Sequence, residues 1–437
     1  MSDRNGTARW PGGIRRSRRQ FLRDSAIVAG AAMTPGLLAA CAESDDGGSS
    51  GPTQLSEIKI GLVLPMTGAA AAYGKFANEA IKMVFDDVNA KGGIANLGGA
   101  KLIPVLKDSA TDAQTAVSCT QELVGDSGVL AILGTIQSDA TAVASPVADR
   151  AKVPWICTSD GAKTIVDRGF KYVFQPPAYS TGAADSVIEW LDFVSTKTGQ
   201  RPQKIMIMTE DAAVAVELAT AMESQAKAKG FQVVDRVTYP ARDPNASRAI
   251  VQRAKAENID VIVQHSYTPA NAVAVRRVFQ EVGYNPMGIV TATGGQASPS
   301  YGAELGALAE NTVNTSYFNP DVSARIPLAK ELNDKFKAIT GTNLDHVSAT
   351  NLTAAAVAVD ALGRATSASR DALRDALEQT DLKVGDGYWI IPEGCKFDEL
   401  NHNSRQIYLV NQWQNGVQKV IYPEEYATAD AVWPVRT

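Results

Sequence analysis

Apolar residues along this chain fall into two alternating rhythms. Residues 58–64 form a β-rich run stopped by Pro65, and 73–90 follow with Ala77, Ile81, Val84, Phe85 and Val88 at helical spacing before Gly92-Gly93 ends the helix. The pattern then predicts strand over 102–106, helix over 113–123, strand over 129–133, helix over 141–151, and short strands over 154–156 and 172–174. Strands separated by helices predict a parallel sheet covered on both faces.

Near Gln175-Pro176-Pro177 the rhythm restarts. Helices are expected over 181–196, 214–229, 247–257 and 271–282, interleaved with strands over 205–208, 233–237, 261–263 and 288–290. This is a second α/β unit of similar design. After Thr293 come a strand over 313–317, helices over 326–340, 348–366 and 370–379, and strands over 388–391, 407–410 and 418–421. Those last three strands are most simply added to the second sheet.

The first 56 residues have no such rhythm. Arg15-Arg16, then Ser17-Arg18-Arg19-Gln20-Phe21-Leu22, precede an uncharged stretch that runs into Leu38-Ala39-Ala40-Cys41. Pro35-Gly36 breaks the apolar run, which is shorter than the roughly 20 residues of a spanning helix. Residues 1–40 therefore read as a cleaved export segment. The paired arginines resemble the twin-arginine motif and Leu-Ala-Ala-Cys the bacterial lipobox, which makes Cys41 the expected lipidation site and new N-terminus. The protein is then expected to be exported and lipid-anchored to the outer face of the cell membrane. Residues 41–56, with Asp45-Asp46-Gly47-Gly48-Ser49-Ser50-Gly51-Pro52, form a flexible tether.

Removing residues 1–40 takes seven arginines and two acids from 42 and 47, leaving 35 and 45 and a net charge of about −10. An acidic chain offers no basic face to a phosphate backbone, so nucleic acid is excluded as a partner. The remaining 397 residues suggest two lobes with two cores. Cys119, Cys157 and Cys395 allow one disulfide in any of three pairings, or serve as small buried hydrophobes.

Catalytic chemistry has little to stand on. His265, His346 and His402 lack metal-ligand spacing, so no metal or cofactor is expected, and the chain carries no nucleophile elbow, HExxH, P-loop or dinucleotide fingerprint. No catalytic residue is assigned. Binding features are better developed, because open parallel sheets present ligands at the carboxyl ends of their strands. The strand Leu130-Ala131-Ile132-Leu133-Gly134 runs into Thr135-Ile136-Gln137-Ser138-Asp139, where Ser138 either caps the next helix alone or also faces a ligand carboxylate. Thr158-Ser159-Asp160-Gly161 repeats the arrangement, with Asp160 a ligand contact or a solvated turn residue.

At these residues the chain resembles the leucine/isoleucine/valine-binding family of solute-binding proteins, the extracytoplasmic receptors of ABC importers. The matching stretches are Ile58-Lys59-Ile60-Gly61, Thr67-Gly68 with Tyr73-Gly74, Val88-Asn89-Ala90 before Gly92-Gly93, Gly134 with Ser138, Asp167-Arg168-Gly169-Phe170, and Asp260-Val261 with Tyr267 and Pro269. A further match runs from Tyr422 to Pro434. The resemblance implies the type I periplasmic-binding-protein fold: α/β, two doubly wound parallel-sheet lobes joined by three hinge crossovers, with a ligand buried between them. It places lobe 1 at 57–177 plus 293–382 and lobe 2 at 178–292 plus 383–437. It implies a monomer with a small-molecule ligand and ABC permease subunits as partners, or alternatively a sensor signalling to a partner protein.

The same resemblance places Tyr73 as an aromatic wall, Ser138 as a hydroxyl for the ligand carboxylate, Ser159 and Gly161 as its backbone partners, and Tyr267 as an aromatic closing from lobe 2. Gly161 lacks a hydroxyl found in the family. The acidic residue that pairs with the ligand's ammonium should lie near Thr293-Gly294, where there is no carboxylate. A buried ammonium needs a partner. Either Asp160 or Asp211 supplies one, or the ligand has no α-ammonium, which moves weight from branched-chain amino acids toward amides, urea-like compounds or aromatic acids.

Overall fold

The computed structural model describes residues 55–435, Arg242 and Gln406 excepted. The export segment 1–40 and the lipidation site Cys41 lie outside the described residues.

The first lobe opens with β1 (Glu57–Leu64), α1 (Ala71–Ala90), β2 (Lys101–Asp108), α2 (Ala113–Gly125), β3 (Val129–Gly134), α3 (Ser138–Arg150), β4 (Trp155–Ile156) and β5 (Val173–Phe174). These strands form one parallel sheet in the order β2-β1-β3-β4-β5. Strands covered on both faces read as continuous apolar runs, and β3 is buried at every residue. Ile60, Leu62 and Leu64 pack on one face of the sheet, while Val63, Ile132 and Trp155 pack on the other.

The chain then builds α4 (Ser180–Thr198), β6 (Lys204–Glu210), α5 (Ala213–Ala228), β7 (Gln232–Tyr239), α6 (Ser247–Ala256), β8 (Val261–His265), α7 (Pro269–Val282), β9 (Gly288–Thr291), α8 (Pro299–Leu305) and β10 (Val313–Ser316). It returns to the first lobe for α9 (Pro327–Thr340), α10 (His346–Arg364), α11 (Arg370–Glu378) and a small antiparallel pair, β11 (Asp381–Leu382) with β12 (Cys395–Lys396). It ends in the second lobe with β13 (Leu409–Gln414) and β14 (Val417–Tyr422). The second sheet runs β14-β13-β10-β9-β8-β6-β7, parallel from β7 to β10 and antiparallel beyond.

The chain passes between the sheets three times, between β5 and α4, β10 and α9, and β12 and β13. The passages are stitched together. The hydroxyls of Tyr317 and Tyr408 both donate to the Ala178 carbonyl, at 2.8 and 3.5 Å, and their rings lie 4.5 Å apart. Tyr179 stacks on His402 with ring centres 3.3 Å apart, and Gln175 and Asn403 bond through their backbones.

Three expectations change. Val313–Ser316 stands in the second sheet and not in the first lobe, because α8 completes another strand-helix-strand unit after β9. Helix α8 is only seven residues long and contains Gly302, where a side chain would strike the Trp413 ring, so it reads as loop in the sequence. Residues 388–391 are not a strand: the Gly385 amide bonds to the Trp389 carbonyl, and Trp389–Ile391 are buried apolar residues of a turn. That turn packs on the first lobe, where the Tyr388 hydroxyl donates to Asp87 of α1 at 2.6 Å and Phe397 packs against Phe174. The boundary expected at 383 therefore moves to the last crossover. In place of two separate cores, one continuous apolar cluster joins Leu64 and Leu133 to Ile207 and Val263. All three cysteines at 119, 157 and 395 are free and buried.

Candidate functional site

The two sheets repeat one strand order. Read from its own first strand, each runs second-first-third-fourth-fifth: β2-β1-β3-β4-β5 in one lobe and β7-β6-β8-β9-β10 in the other. In such a sheet the chain leaves the first and third strands in opposite directions, which opens a crevice at their carboxyl ends. The two crevices face each other here. Loops after β1 and β3 and loops after β6 and β8 line one inter-lobe cleft, together with the start of α10.

The cleft has a deep cavity of about 60 Å³ and an adjoining mouth of about 800 Å³ that shares Ser138, Val214 and Tyr267 with it. Tyr73, Ser138, Ser159 and Gly161 reach the deep cavity from the first lobe, and Tyr267 and Thr293 from the second. Six of the seven expected residues thus meet in one place. The seventh, Asp160, stands behind the wall. Its carboxylate accepts from Thr141 Oγ1 at 2.7 Å and from the backbone N–H groups of Ile136 and Thr158 at 3.2 Å. It lines neither space and joins the loop after β3 to the loop after β4. Burial pushes its pKa up to about 6 against those three donors.

The expected residues divide their bonds unevenly. Ser138 is the first residue of α3, with Gln137 rather than Ser138 in the capping position, and its Oγ accepts from the Ala162 N–H at 3.2 Å. The hydroxyl proton is left for the cavity. Ser159 turns its hydroxyl to α10, where it meets Thr350 Oγ1 at 2.5 Å and Asn351 Nδ2 at 3.1 Å, so only its backbone serves the cavity. A side chain at Gly161 would come within 2.5 Å of Ser180 Oγ and 3.0 Å of Tyr317 Oη. Those two hydroxyls occupy the space of the one that Gly161 lacks.

Four buried polar atoms around the deep cavity have no partner among the described residues: Tyr73 Oη, Tyr267 Oη, His265 Nδ1 and His346 Nδ1. Native proteins leave few such groups unpaired. Burial raises both phenols and lowers both imidazoles, His265 to about 4, so all four are neutral near pH 7. The two histidines were passed over in the sequence for want of metal spacing. A different signal marks them, since each stands at the end of a strand or the start of a helix that faces the cleft.

At the mouth stand Asp139, Glu210 and Asp211, and among the described residues no lysine or arginine lines either space. Glu210 accepts from the Tyr267 N–H and from Asn271 Nδ2, each at 2.9 Å, and burial pushes its carboxyl up. The lobes also touch across the cleft, where the Lys163 amide donates to Glu217 of α5 at 3.2 Å.

Residues 57–417 match a family model described as periplasmic binding protein. The Leu/Ile/Val-binding protein homolog 8 of Brucella abortus is 29% identical over 381 residues, covering 86% of this chain and 93% of that protein. Among solved structures, the branched-chain amino acid transporter substrate-binding protein LivJ from Streptococcus pneumoniae, in complex with isoleucine, superposes with a TM-score of 0.72 at 23% identity, over 86% of this chain and all of that one. A solute-binding protein of an ABC transporter from Rhodopseudomonas palustris, in complex with 3,4-dihydroxybenzoic acid, gives 0.71 at 21% identity, over 87% and 99%.

Proposed function

This chain belongs to the periplasmic binding protein family, and from that premise we propose that it captures a small carboxylate-bearing solute between its lobes and delivers it to an ABC importer. One observation carries the reading: buried polar groups from both lobes line one cavity and have no partner among the described residues. Chemistry of this kind holds a ligand and returns it unchanged. The relatives named above bind isoleucine in one case and an aromatic acid in another, and the feature these ligands share is a carboxylate. Ser138 at the start of α3 and the backbone of Ser159 and Gly161 suit that group.

Closure follows from the layout. Lobe 1 contributes Tyr73, Ser138 and His346, lobe 2 contributes His265 and Tyr267, and a solute touching both sets favours the closed arrangement by its differential affinity. The segment ending at Cys41 supports export and lipid attachment, which would keep the captured solute beside the membrane. The test is mass spectrometry of small molecules released from the purified protein, joined to scattering before and after their removal. A carboxylate recovered intact, with a larger radius of gyration once it is gone, supports the reading; a rigid particle that releases and binds nothing refutes it.

A further inference from the structure

His265 ends β8 in the second lobe and His346 opens α10 in the first, so two imidazoles reach the deep cavity from opposite lobes. They are 2 and 8% exposed, and Nδ1 of each has no partner among the described residues. Tyr73 Oη and Tyr267 Oη are in the same condition in the same wall, again one from each lobe. A folded chain seldom buries four polar atoms around one space without pairing them. Other hydroxyls of the wall are already spent: Ser159 Oγ meets Thr350 and Asn351, and Tyr317 Oη donates to the Ala178 carbonyl.

What the four atoms share is neutrality. Burial lowers both imidazoles and raises both phenols; Asp345 is the one charged group that acts on His346, and none acts on His265. The acids behind the wall are engaged within the protein, Asp160 by Thr141 and two backbone N–H groups, Glu210 by the Tyr267 N–H and Asn271, and Asp345 by Ser348. Among the described residues no charged side chain lines the deep cavity, so an α-ammonium there would be desolvated without a carboxylate in contact. Donor and acceptor roles narrow the choice further. An ammonium only donates and a carbonyl only accepts, whereas a phenol does both and imidazole Nδ1 does either, according to its tautomer. Four such atoms divided between two lobes match a solute group that can take either role at each of them, and that group is a hydroxyl.

Resting on the capture reading, we propose that the solute is a hydroxy carboxylate and that His265 and His346 are the residues that select it, each bonding solute hydroxyl from its own lobe. Specificity then follows from what a wrong solute leaves unpaired. A deoxy analogue strands the wall atoms without partners, and an amino acid brings a charge that nothing in the lining balances.

Calorimetry on the ligand-stripped protein tests this with matched sets in which one skeleton carries hydroxyl, ammonium or hydrogen: leucate, leucine and isocaproate; mandelate, phenylglycine and phenylacetate; γ-hydroxybutyrate, γ-aminobutyrate and butyrate. The expected result is at least one hydroxy acid that binds about tenfold or more tighter than both other members of its set. His265→Phe and His346→Phe should each cut that preference by roughly two- to twelvefold while leaving the deoxy analogue within about twofold. Neither should lower the melting temperature of the stripped protein, because the atoms removed have no partner in it. His265→Gln and His346→Gln keep a hydrogen-bonding amide, should retain part of the preference, and stand in where a phenylalanine variant does not fold. Amino acids that bind as tightly as their hydroxy analogues in every set, or a hydroxyl preference that all four variants leave untouched, overturn the inference and leave the capture reading standing. So does a solute released on stripping that rebinds while no hydroxy acid does. No heat with any compound, and no molecule released on stripping, overturns both.

Discussion

Replacing Tyr73 and Tyr267 by phenylalanine should move two properties in opposite directions. Both hydroxyls are buried in the cleft without a partner among the described residues, one from each lobe. A buried hydroxyl left unpaired costs about 1–3 kcal/mol, whereas the same group in an opened cleft bonds to water. Its removal therefore favours the closed, ligand-free arrangement by about 1–3 kcal/mol per site, a population shift of roughly five- to 150-fold. Phenylalanine keeps the ring, so the edge contact of Tyr73 on His346, with centres 6.3 Å apart, survives. With ligand bound the effect reverses. Each lost hydrogen bond weakens binding by about 0.5–1.5 kcal/mol, or roughly two- to twelvefold in Kd. Small-angle scattering reads the first effect as a smaller radius of gyration without ligand, and calorimetry reads the second. A double variant that is as open as wild type and binds as well would show that the hydroxyls face neither ligand nor water, and the assignment of the cleft would fall.

Other perturbations test single parts of the site. Ser138→Ala should weaken ligand binding tenfold or more by calorimetry, as loss of a charge-assisted bond of about 1.5–3 kcal/mol implies, and unchanged affinity would remove Ser138 from the site. Gly294→Ala forces a side chain onto a backbone with φ of +90° and within 2.2 Å of the Ser266 carbonyl, so unfolding should come earlier by about 1–3 kcal/mol; an unaltered melting temperature refutes that strain. Asp160→Asn tests the buried acid through pH. Its folded pKa of about 6 lies above the ordinary 3.8, so its contribution is fully present below 3.8 and lost as pH rises through about 6. Wild type should therefore gain on the variant by up to about 3 kcal/mol in urea unfolding between pH 7 and pH 4, and parallel profiles would contradict the assignment.

The periodic elements of both lobes were legible because parallel strands are buried on both faces and announce themselves as apolar runs. The same signal misled at 388–391, where Trp389, Ile390 and Ile391 are buried beneath a turn: apolar composition reports burial, not pairing. Nor does the chain announce which sheet a short strand joins. Val313–Ser316 pairs with β9 on one side and β13 on the other, and β13 lies almost a hundred residues further on. At the site, Ser138, Ser159 and Gly161 were readable from their place after apolar strands. Asp160 was not, because a carboxylate beside a binding turn looks the same whether it faces the cavity or ties two loops together. The helix starts were not legible: Ser138 reads as the cap of a helix from 141 and Ser180 precedes one from 181, whereas the structure starts the helices at Ser138 and Ser180 with Gln137 and Tyr179 before them.

The cleft and the hinge share residues, and this bears on how a bound solute acts on the lobes. Tyr317 lines the deep cavity while its hydroxyl holds the Ala178 carbonyl of the first crossover. Ser180 lines the same cavity, and its N–H donates to the Gly161 carbonyl at 2.7 Å, tying the first residue of α4 to the loop after β4. A solute that presses on Gly161, Ser180 or Tyr317 thus pushes directly on two of the three crossovers. No relay through the lobes is required, because the element whose angle changes is itself part of the wall.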